Sequence, residues 1–187
     1  IRGIKVDIDY TYELEQLDKG DRSSKLILSI INKNKARAEQ IKKFYERYRA
    51  SVNGVPILTR NVEDPMAINN RINNDFFSEI IDIRTGYFAG NEISYIVNPE
   101  AETEWKEFRE RNRLADIDSE TTKHAGIAGF STRLLYIDKE TAKERIAILP
   151  AWQTILLGEN GIDEARYGIR FYEMQIEESK VIARVEL

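Results

Sequence analysis

Residues 69–95 read NNRINNDFFSEIIDIRTGYFAGNEISY, and this stretch decides the fold of the region around it. Apolar side chains recur at steps of three and four residues, which places them on one helical face: Ile72, Phe76, Ile80, Ile83 and Tyr87. Phe77, Ile81 and Phe88 widen the apolar surface, so the pattern predicts a heavily buried helix.

Polar residues and a glycine mark the two ends of this helix. At its start, Asn73 or Asn74 is expected to accept a hydrogen bond from a first-turn amide. At its end, Gly90 is expected to adopt the left-handed conformation that terminates many helices. Ile93, Tyr95 and Val97 then alternate with Ser94 and Ile96, which predicts a strand.

Composition limits the classes of protein to which the chain can belong. Its 187 residues, 42% of them apolar, suffice for one domain or a compact pair of subdomains. The 28 basic and 32 acidic residues give a net charge of −4, whereas dedicated duplex-binding domains usually carry a basic excess. The absence of cysteine excludes disulfides and thiolate metal sites. Because the chain begins at Ile1 and Leu187 falls inside a predicted strand, we expect an excerpt of a longer protein.

The region before residue 69 is predicted to be mainly helical. A four-three apolar spacing predicts a long helix from Ser23 or Ser24 to about Ser51, or two helices broken near Asn32 to Asn34. Alternation over residues 4–8 predicts a short strand or extended arm, and prolines with asparagine pairs over residues 53–70 predict a loop.

Two further helices are predicted after the quoted stretch. Asn98 and Pro99, followed by acidic residues, have the composition of a helix start. Asp118 or Ser119 is expected to begin another short helix. The small residues in its segment 125–129 favour close packing on a neighbouring element.

From Phe130 onward the apolar period changes from helical to two, which predicts a series of strands. The predicted strands are 130–137, 145–149, 153–157, 166–173 and 180–187. Their short connections favour antiparallel neighbours. The predicted fold class is therefore α+β, with a helical first half packed on a largely antiparallel meander sheet in the second half.

Residues able to support catalysis are scarce. His124 is the single histidine, and neither Ser119 nor Ser131 lies in the Gly-x-Ser-x-Gly turn of a serine hydrolase. Asp116 and Asp118 have the spacing that opens a calcium loop, but no glycine or terminal glutamate follows in register. We therefore predict a protein that is not an enzyme, with no catalytic, cofactor-binding or metal-binding residue.

The basic helix segment 33–49 is the main alternative site. Its lysines and arginines are interleaved with Phe44, Tyr45 and Tyr48, as in surfaces that bind nucleic acid. Two glutamates dilute the patch and the aromatic residues fall on or beside the apolar stripe, so a solvated helix face is the preferred interpretation. Two alternatives stay open: a nucleic-acid-binding adaptor that uses this helix, and an enzyme with a carboxylate-centred site.

The quoted stretch resembles the signature of the tailed-bacteriophage portal proteins of the SPP1 type. The matching motif consists of Gly86, Tyr87, Phe88, Gly90, Ile93 and Tyr95. Other blocks resemble the family in the same order along the chain, at residues 42–58, 124–140, 146–157 and 164–174.

This resemblance implies a structural protein of the virion, a ring of typically twelve copies at the portal vertex of the capsid. The ring would form the passage for DNA packaging and ejection, and its partners would be the terminase large subunit, the head-tail connector or adaptor protein and the major capsid protein. Double-stranded DNA would pass through the channel with little direct contact from this chain. The resemblance also implies assembly in the host cytoplasm and ATP hydrolysis by the terminase alone.

The resemblance divides the chain into two parts. Residues 1–22 match the family poorly and are expected to be a variable N-terminal arm. Residues 23–187 are expected to form the wing-like α+β domain, incomplete at its C-terminus. The stem, clip and crown of the family have no candidate segment before Leu187.

Overall fold

The computed structural model describes residues 8–50, 66, 74–158, 165–177 and 180–186. Within these ranges the helices are α1 (Thr11–Asp18), α2 (Ser24–Arg49), α3 (Phe76–Ala89), α4 (Glu102–Asn112) and α5 (Leu114–Ala128). The strands are β1 (Thr132–Ile137), β2 (Glu144–Leu149), β3 (Thr154–Gly158), β4 (Ala165–Glu177) and β5 (Lys180–Glu186).

Helices thus precede strands along the chain, and the predicted α+β class is confirmed. The strands lie in two sheets where the sequence predicted one. β1 pairs with β2, while β3, β4 and β5 form an antiparallel meander in that order. The predicted long helix is confirmed as α2. The predicted arm at Ile4 and Val6 lies outside the described residues, as does the predicted loop 53–70 except for Met66.

Packing divides the chain into two compact units. Unit one is drawn from Ile1–Lys42, Thr132–Leu134 and Leu149–Leu187. Unit two is drawn from Lys43–Ser131 and Leu135–Ile148.

The core of unit one lies between its helices and the three-stranded sheet. The buried side chains come from α1, α2, β3 and β4: Leu14, Leu17, Leu26, Ile27, Ile30, Ile155, Leu157 and Ile169. Ile155 lies opposite Ile169 in the β3–β4 ladder, so both point to the helical face of the sheet. Helix α1 falls within residues 1–22, and it contributes Leu14 and Leu17 to this core.

In unit two, α3 packs on α5 through small and branched side chains. Ile81 is buried, and a Cβ atom at Gly126 would lie 3.5 Å from its Cγ2 atom. The glycine therefore allows the two helices to approach closely, as the small residues of segment 125–129 predicted. Arg113 separates α4 from α5 because its left-handed backbone, with φ at 51°, interrupts the helical path.

A buried amide connects α4 to the β1–β2 hairpin. The Asn112 side chain donates to the carbonyl oxygens of Phe108 at 2.9 Å and Glu144 at 3.2 Å. Its carbonyl oxygen accepts from the Ile146 amide at 3.0 Å. One side chain thus satisfies backbone groups on both elements, which fixes the hairpin on the end of α4.

The ends of α3 differ from the predicted ones. The N-cap is Asp75, not Asn73 or Asn74, and its carboxylate accepts from the Ser78 amide at 3.3 Å. A carboxylate at this position also interacts favourably with the helix dipole. Gly90 does end the helix, but in a right-handed conformation with φ at −74°. Glycine is required there because a Cβ atom would clash with the carbonyl oxygen of Gly86.

The predicted strand after α3 is wrong. Residues 92–98 form no strand, and the Tyr95 side chain contacts two helices instead. The Tyr95 hydroxyl donates to Asp118 on α5 at 2.5 Å, and its ring meets Trp105 on α4 edge-on at 5.2 Å. The start predicted for α5 at Asp118 or Ser119 is also wrong, since the helix begins at Leu114.

The next helix start follows its prediction. The Asn98 side chain accepts from the Glu100 amide, and Pro99 opens a single 3-10 turn that leads into α4. Acidic side chains occupy the first turn of α4, where they interact favourably with the helix dipole.

Candidate interaction surface

Helix α3 carries an apolar stripe on its solvent-facing side. Phe76 is 60% exposed, Ile80 55%, Ile83 63% and Tyr87 95%. Their spacing of four, three and four residues is that of a helix face that packs against another element. We call these four residues the outer stripe. The prediction that this face is buried within the chain is therefore wrong.

The buried face of α3 is a different one. Ile81 and Thr85 are buried, and at about 100° per residue they lie roughly 150° around the helix from the middle of the outer stripe. Apolar surface on two nearly opposite faces is typical of a helix that is enclosed on both sides. Within one chain only the face on α5 is covered by the described residues.

Helix α3 is held in this orientation by contacts with the last turns of α2. The Tyr48 hydroxyl donates to Asp82 at 2.5 Å, and the Ser78 hydroxyl donates to the Tyr48 carbonyl oxygen at 3.0 Å. Burial raises the pKa of Tyr48 to about 12, and the Asp82 carboxylate adds to the shift. The tyrosine therefore stays protonated and remains a donor at any physiological pH.

The border of the outer stripe is polar. Glu79 and Arg84 are exposed on the same helix, on either side of the apolar side chains. An apolar centre with a charged rim is the usual composition of a protein–protein interface. The geometry thus indicates a surface that binds another protein surface, since it offers no concave, polar site for a small molecule.

The residues weighed for catalysis do not form a catalytic arrangement in the described part of the chain. His124 is half-buried on α5 with its Nε2 atom 3.9 Å from Glu120 and its ring edge-on to Tyr45 at 5.1 Å. Burial lowers the pKa of His124. Its Nδ1 atom and the Ser131 hydroxyl both lack a hydrogen-bond partner, so the histidine does not activate that serine.

The two aspartates with calcium-loop spacing have separate partners. Asp116 forms an ion pair with Arg113 at 2.6 Å, while buried Asp118 accepts from Tyr95. Among the described residues, no cluster of acidic or histidine side chains has the geometry to hold a metal ion. Nor is any helix of the described ranges long and apolar enough to cross a membrane.

A sequence model of the phage portal protein family, described as SPP1 Gp6-like, matches residues 27–187. The chain belongs to the SPP1-type phage portal proteins. No curated protein matches the chain significantly. The portal family is structural and non-enzymatic, and membership implies a ring-shaped oligomer at a capsid vertex.

The portal signature, which runs from Gly86 to Tyr95, has two structural roles in this chain. Gly86, Tyr87 and Phe88 form the exposed C-terminal turn of α3, which includes one end of the outer stripe. Gly90 allows the chain to turn away from the helix, and Tyr95 then anchors the following segment to α5. The signature therefore both builds unit two and supplies part of its exposed apolar surface.

The basic segment 33–49 of this portal protein lies on α2. Tyr45 is buried and Tyr48 is engaged by Asp82, so these rings serve packing and are not available for stacking on bases. Lys42 and Lys43 are exposed to solvent. These positions favour the interpretation of a solvated helix face over that of a nucleic-acid site.

Proposed function

We propose that this chain is a structural subunit of a portal ring at one vertex of a phage capsid. The ring forms the passage for DNA during packaging and ejection, and it docks the terminase large subunit and then the head-tail connector or adaptor. The observation that carries the proposal is the family match over residues 27–187. The exposed outer stripe of α3 supports it, because an assembled subunit needs such a surface.

The remaining features of the proposal follow the family. The ring has about twelve copies, by resemblance to portal proteins, and it contacts the major capsid protein in the virion after assembly in the host cytoplasm. Residues 23–187 serve as the wing-like domain, and residues 1–22 as an arm whose helix α1 packs into the core of unit one. The subunit itself is not an enzyme, and the terminase supplies the ATP hydrolysis.

The proposed mechanism for DNA passage is electrostatic. With a net charge of −4, few phosphates are neutralised and few counterions are released when DNA passes. The duplex therefore slides through the ring and is not gripped by it. Direct contact from this chain is small, since the exposed glutamates Glu39 and Glu46 interrupt the basic residues of segment 33–49.

Negative-stain microscopy of the whole protein tests the oligomer. Rings with a central hole are expected, and a uniform population of small monomers would refute the proposal. Duplex binding by the purified ring is expected to be very weak and insensitive to salt. Tight binding that collapses as salt is added would contradict the sliding mechanism.

A charge-reversal variant separates this function from a nucleic-acid-binding adaptor. Lys42→Glu combined with Lys43→Glu changes two exposed positions of α2. The portal proposal expects unchanged rings and unchanged DNA affinity. A large loss of DNA affinity with intact rings would instead support the adaptor function of segment 33–49.

A further inference from the structure

We propose that the outer stripe of α3 is covered by a second copy of this chain, as one half of the contact between neighbouring subunits. The inference rests on the proposed function, because it takes the protein to be a ring subunit. It adds the identity of the surface: Phe76, Ile80, Ile83 and Tyr87 on one copy meet a different surface on the next.

The exposed area is large enough to form the apolar centre of a contact between subunits. Within the outer stripe, Phe76 and Tyr87 are 60% and 95% exposed, and Ile80 and Ile83 are 55% and 63% exposed. At about 200 Å² per aromatic side chain, the two rings leave roughly 300 Å² uncovered, and the two isoleucines add to that. The stripe thus supplies a substantial part of the ≈800 Å² that a standard interface takes from each partner, and it lies in the size range of exposed apolar patches that mark binding sites.

The chemistry of the stripe favours a permanent partner over a transient one. Interfaces of obligate oligomers are more apolar than those of complexes that form and dissociate. In the proposed function the ring docks the terminase first and the connector later, so a polar surface suits the terminase better. Unit two offers such a surface in the groove lined by Lys106, Arg109, Glu110 and Arg113. The apolar stripe is therefore assigned to the neighbouring subunit.

Ring symmetry requires the receiving surface to be a different one. A closed ring of more than two copies joins unlike faces, whereas a face that meets itself gives two-fold pairs. In unit two, β1 carries a second exposed apolar run at Leu135, Tyr136 and Ile137. This run is the apolar candidate for the receiving surface.

The absence of cysteine makes a single-cysteine test direct. Tyr87→Cys places a thiol at the most exposed position of the stripe, and Thr103→Cys places one at an exposed polar position of α4 as the matched control. In rings of the whole protein, maleimide labelling of Tyr87→Cys is expected to be at least about tenfold slower than that of Thr103→Cys, because a thiol inside an interface reacts only when it opens. Equal labelling of both thiols would overturn the proposal.

A photo-crosslinker attached to the Tyr87→Cys thiol before assembly identifies the partner. A ladder of covalent dimers and higher multiples is expected, with mass spectrometry placing the crosslink outside α3. Crosslinks confined to a single chain would show that another segment of the same chain covers the stripe. Crosslinks from α3 to α3 would indicate two-fold pairing. Either result would overturn the proposal.

A charge in the stripe provides an independent measurement. Ile83→Asp is expected to leave the far-ultraviolet circular dichroism and urea midpoint of the dissociated subunit unchanged, since Ile83 is 63% exposed, while it abolishes rings. Arg84→Asp on the rim is the control and is expected to form rings. Intact rings from Ile83→Asp would refute the inference while leaving the portal function standing. Absence of rings from the unmodified protein would instead refute the portal function.

Discussion

The ion pair between α1 and α2 gives a sharp prediction about stability. The Lys33 ammonium lies 2.7 Å from one carboxylate oxygen of Glu13 and 2.8 Å from the other. The Ser29 hydroxyl donates to the same carboxylate at 3.1 Å. The Glu13 side chain is 2% exposed, whereas that of Lys33 is 40% exposed. Lys33→Met therefore leaves a buried carboxylate with neutral partners, the Ser29 hydroxyl and the backbone amide of Glu13.

The expected loss follows from this difference in burial. Removing one partner of a fully buried ion pair costs about 3–5 kcal/mol, because the other charge stays desolvated. Since Lys33 is partly solvated, we expect Lys33→Met to lower the free energy of unfolding by about 2–3 kcal/mol. Lys35→Met makes the same substitution at an exposed position of α2 and should change it by less than about 0.5 kcal/mol.

The contribution of Glu13 to the pH dependence of the free energy of unfolding should change sign in Lys33→Met. Burial alone would raise the pKa of Glu13, but hydrogen bonds from Lys33, the backbone and Ser29 outweigh it, and the pKa is lowered from 4.5. The unfolded chain then binds the proton first, so stability present above pH 4.5 is lost as pH falls through the lowered pKa. Without Lys33 burial dominates, the pKa rises, and acid protonates the folded state first.

Urea unfolding followed by circular dichroism, from pH 7 down to about pH 3, measures both effects because it covers the range below 4.5 in which Glu13 titrates. The unmodified chain should lose stability towards acid more steeply than Lys33→Met does. A loss for Lys33→Met no larger than that for Lys35→Met would refute the reasoning. So would parallel pH profiles, because they would show that the pair does not shift the Glu13 pKa in the folded state.

Three further predictions concern unit two and use the same unfolding assay. Gly126→Ala should be neutral or stabilising by up to about 1 kcal/mol, whereas Gly126→Leu should destabilise by about 1–3 kcal/mol through a clash with Ile81; equal effects would contradict this. Asn112→Ala should cost about 2–4 kcal/mol, because the Ile146 amide loses its acceptor and the Phe108 and Glu144 carbonyls each lose a side-chain donor; a cost below about 1 kcal/mol would contradict it. Burial lowers the pKa of His124 from 6.5, so stability should fall below pH 6.5 by at most about 1.4 kcal/mol per pH unit, and His124→Phe should remove that slope.

Much of the fold was predictable because local patterns agree with the packing. The four-three spacing from Ser24 specified α2, and the period of two specified the strands from β1 to β5. Asn98 and Pro99 specified the start that leads into α4. In each case the residues that set the local conformation also pack in the core or cap a helix. The local pattern and the tertiary contacts therefore favour the same structure.

The errors arose where side chains beyond the local sequence decide the conformation. Residues 92–98 alternate like a strand, but Tyr95 finds its partner on α5 and Trp105 on α4, and no ladder forms. Helix α5 begins four residues before Asp118 because left-handed Arg113 ends α4 directly before it. A strand needs a neighbouring strand, and single-sequence alternation carries no information about whether one is present.

The outer stripe shows a different limit of prediction from sequence, because apolar periodicity does not say which molecule covers a helix face. Periodicity records which side chains avoid water in the working protein, whether they are covered by the same chain or by another. In α3 the pattern contains two apolar faces, and the described residues of one chain cover only that of Ile81 and Thr85. The prediction of a buried helix was wrong for the isolated chain, where Tyr87 is almost fully exposed. Under the proposed contact between subunits the same prediction applies to the assembled ring, because there a neighbouring copy would cover the remaining face.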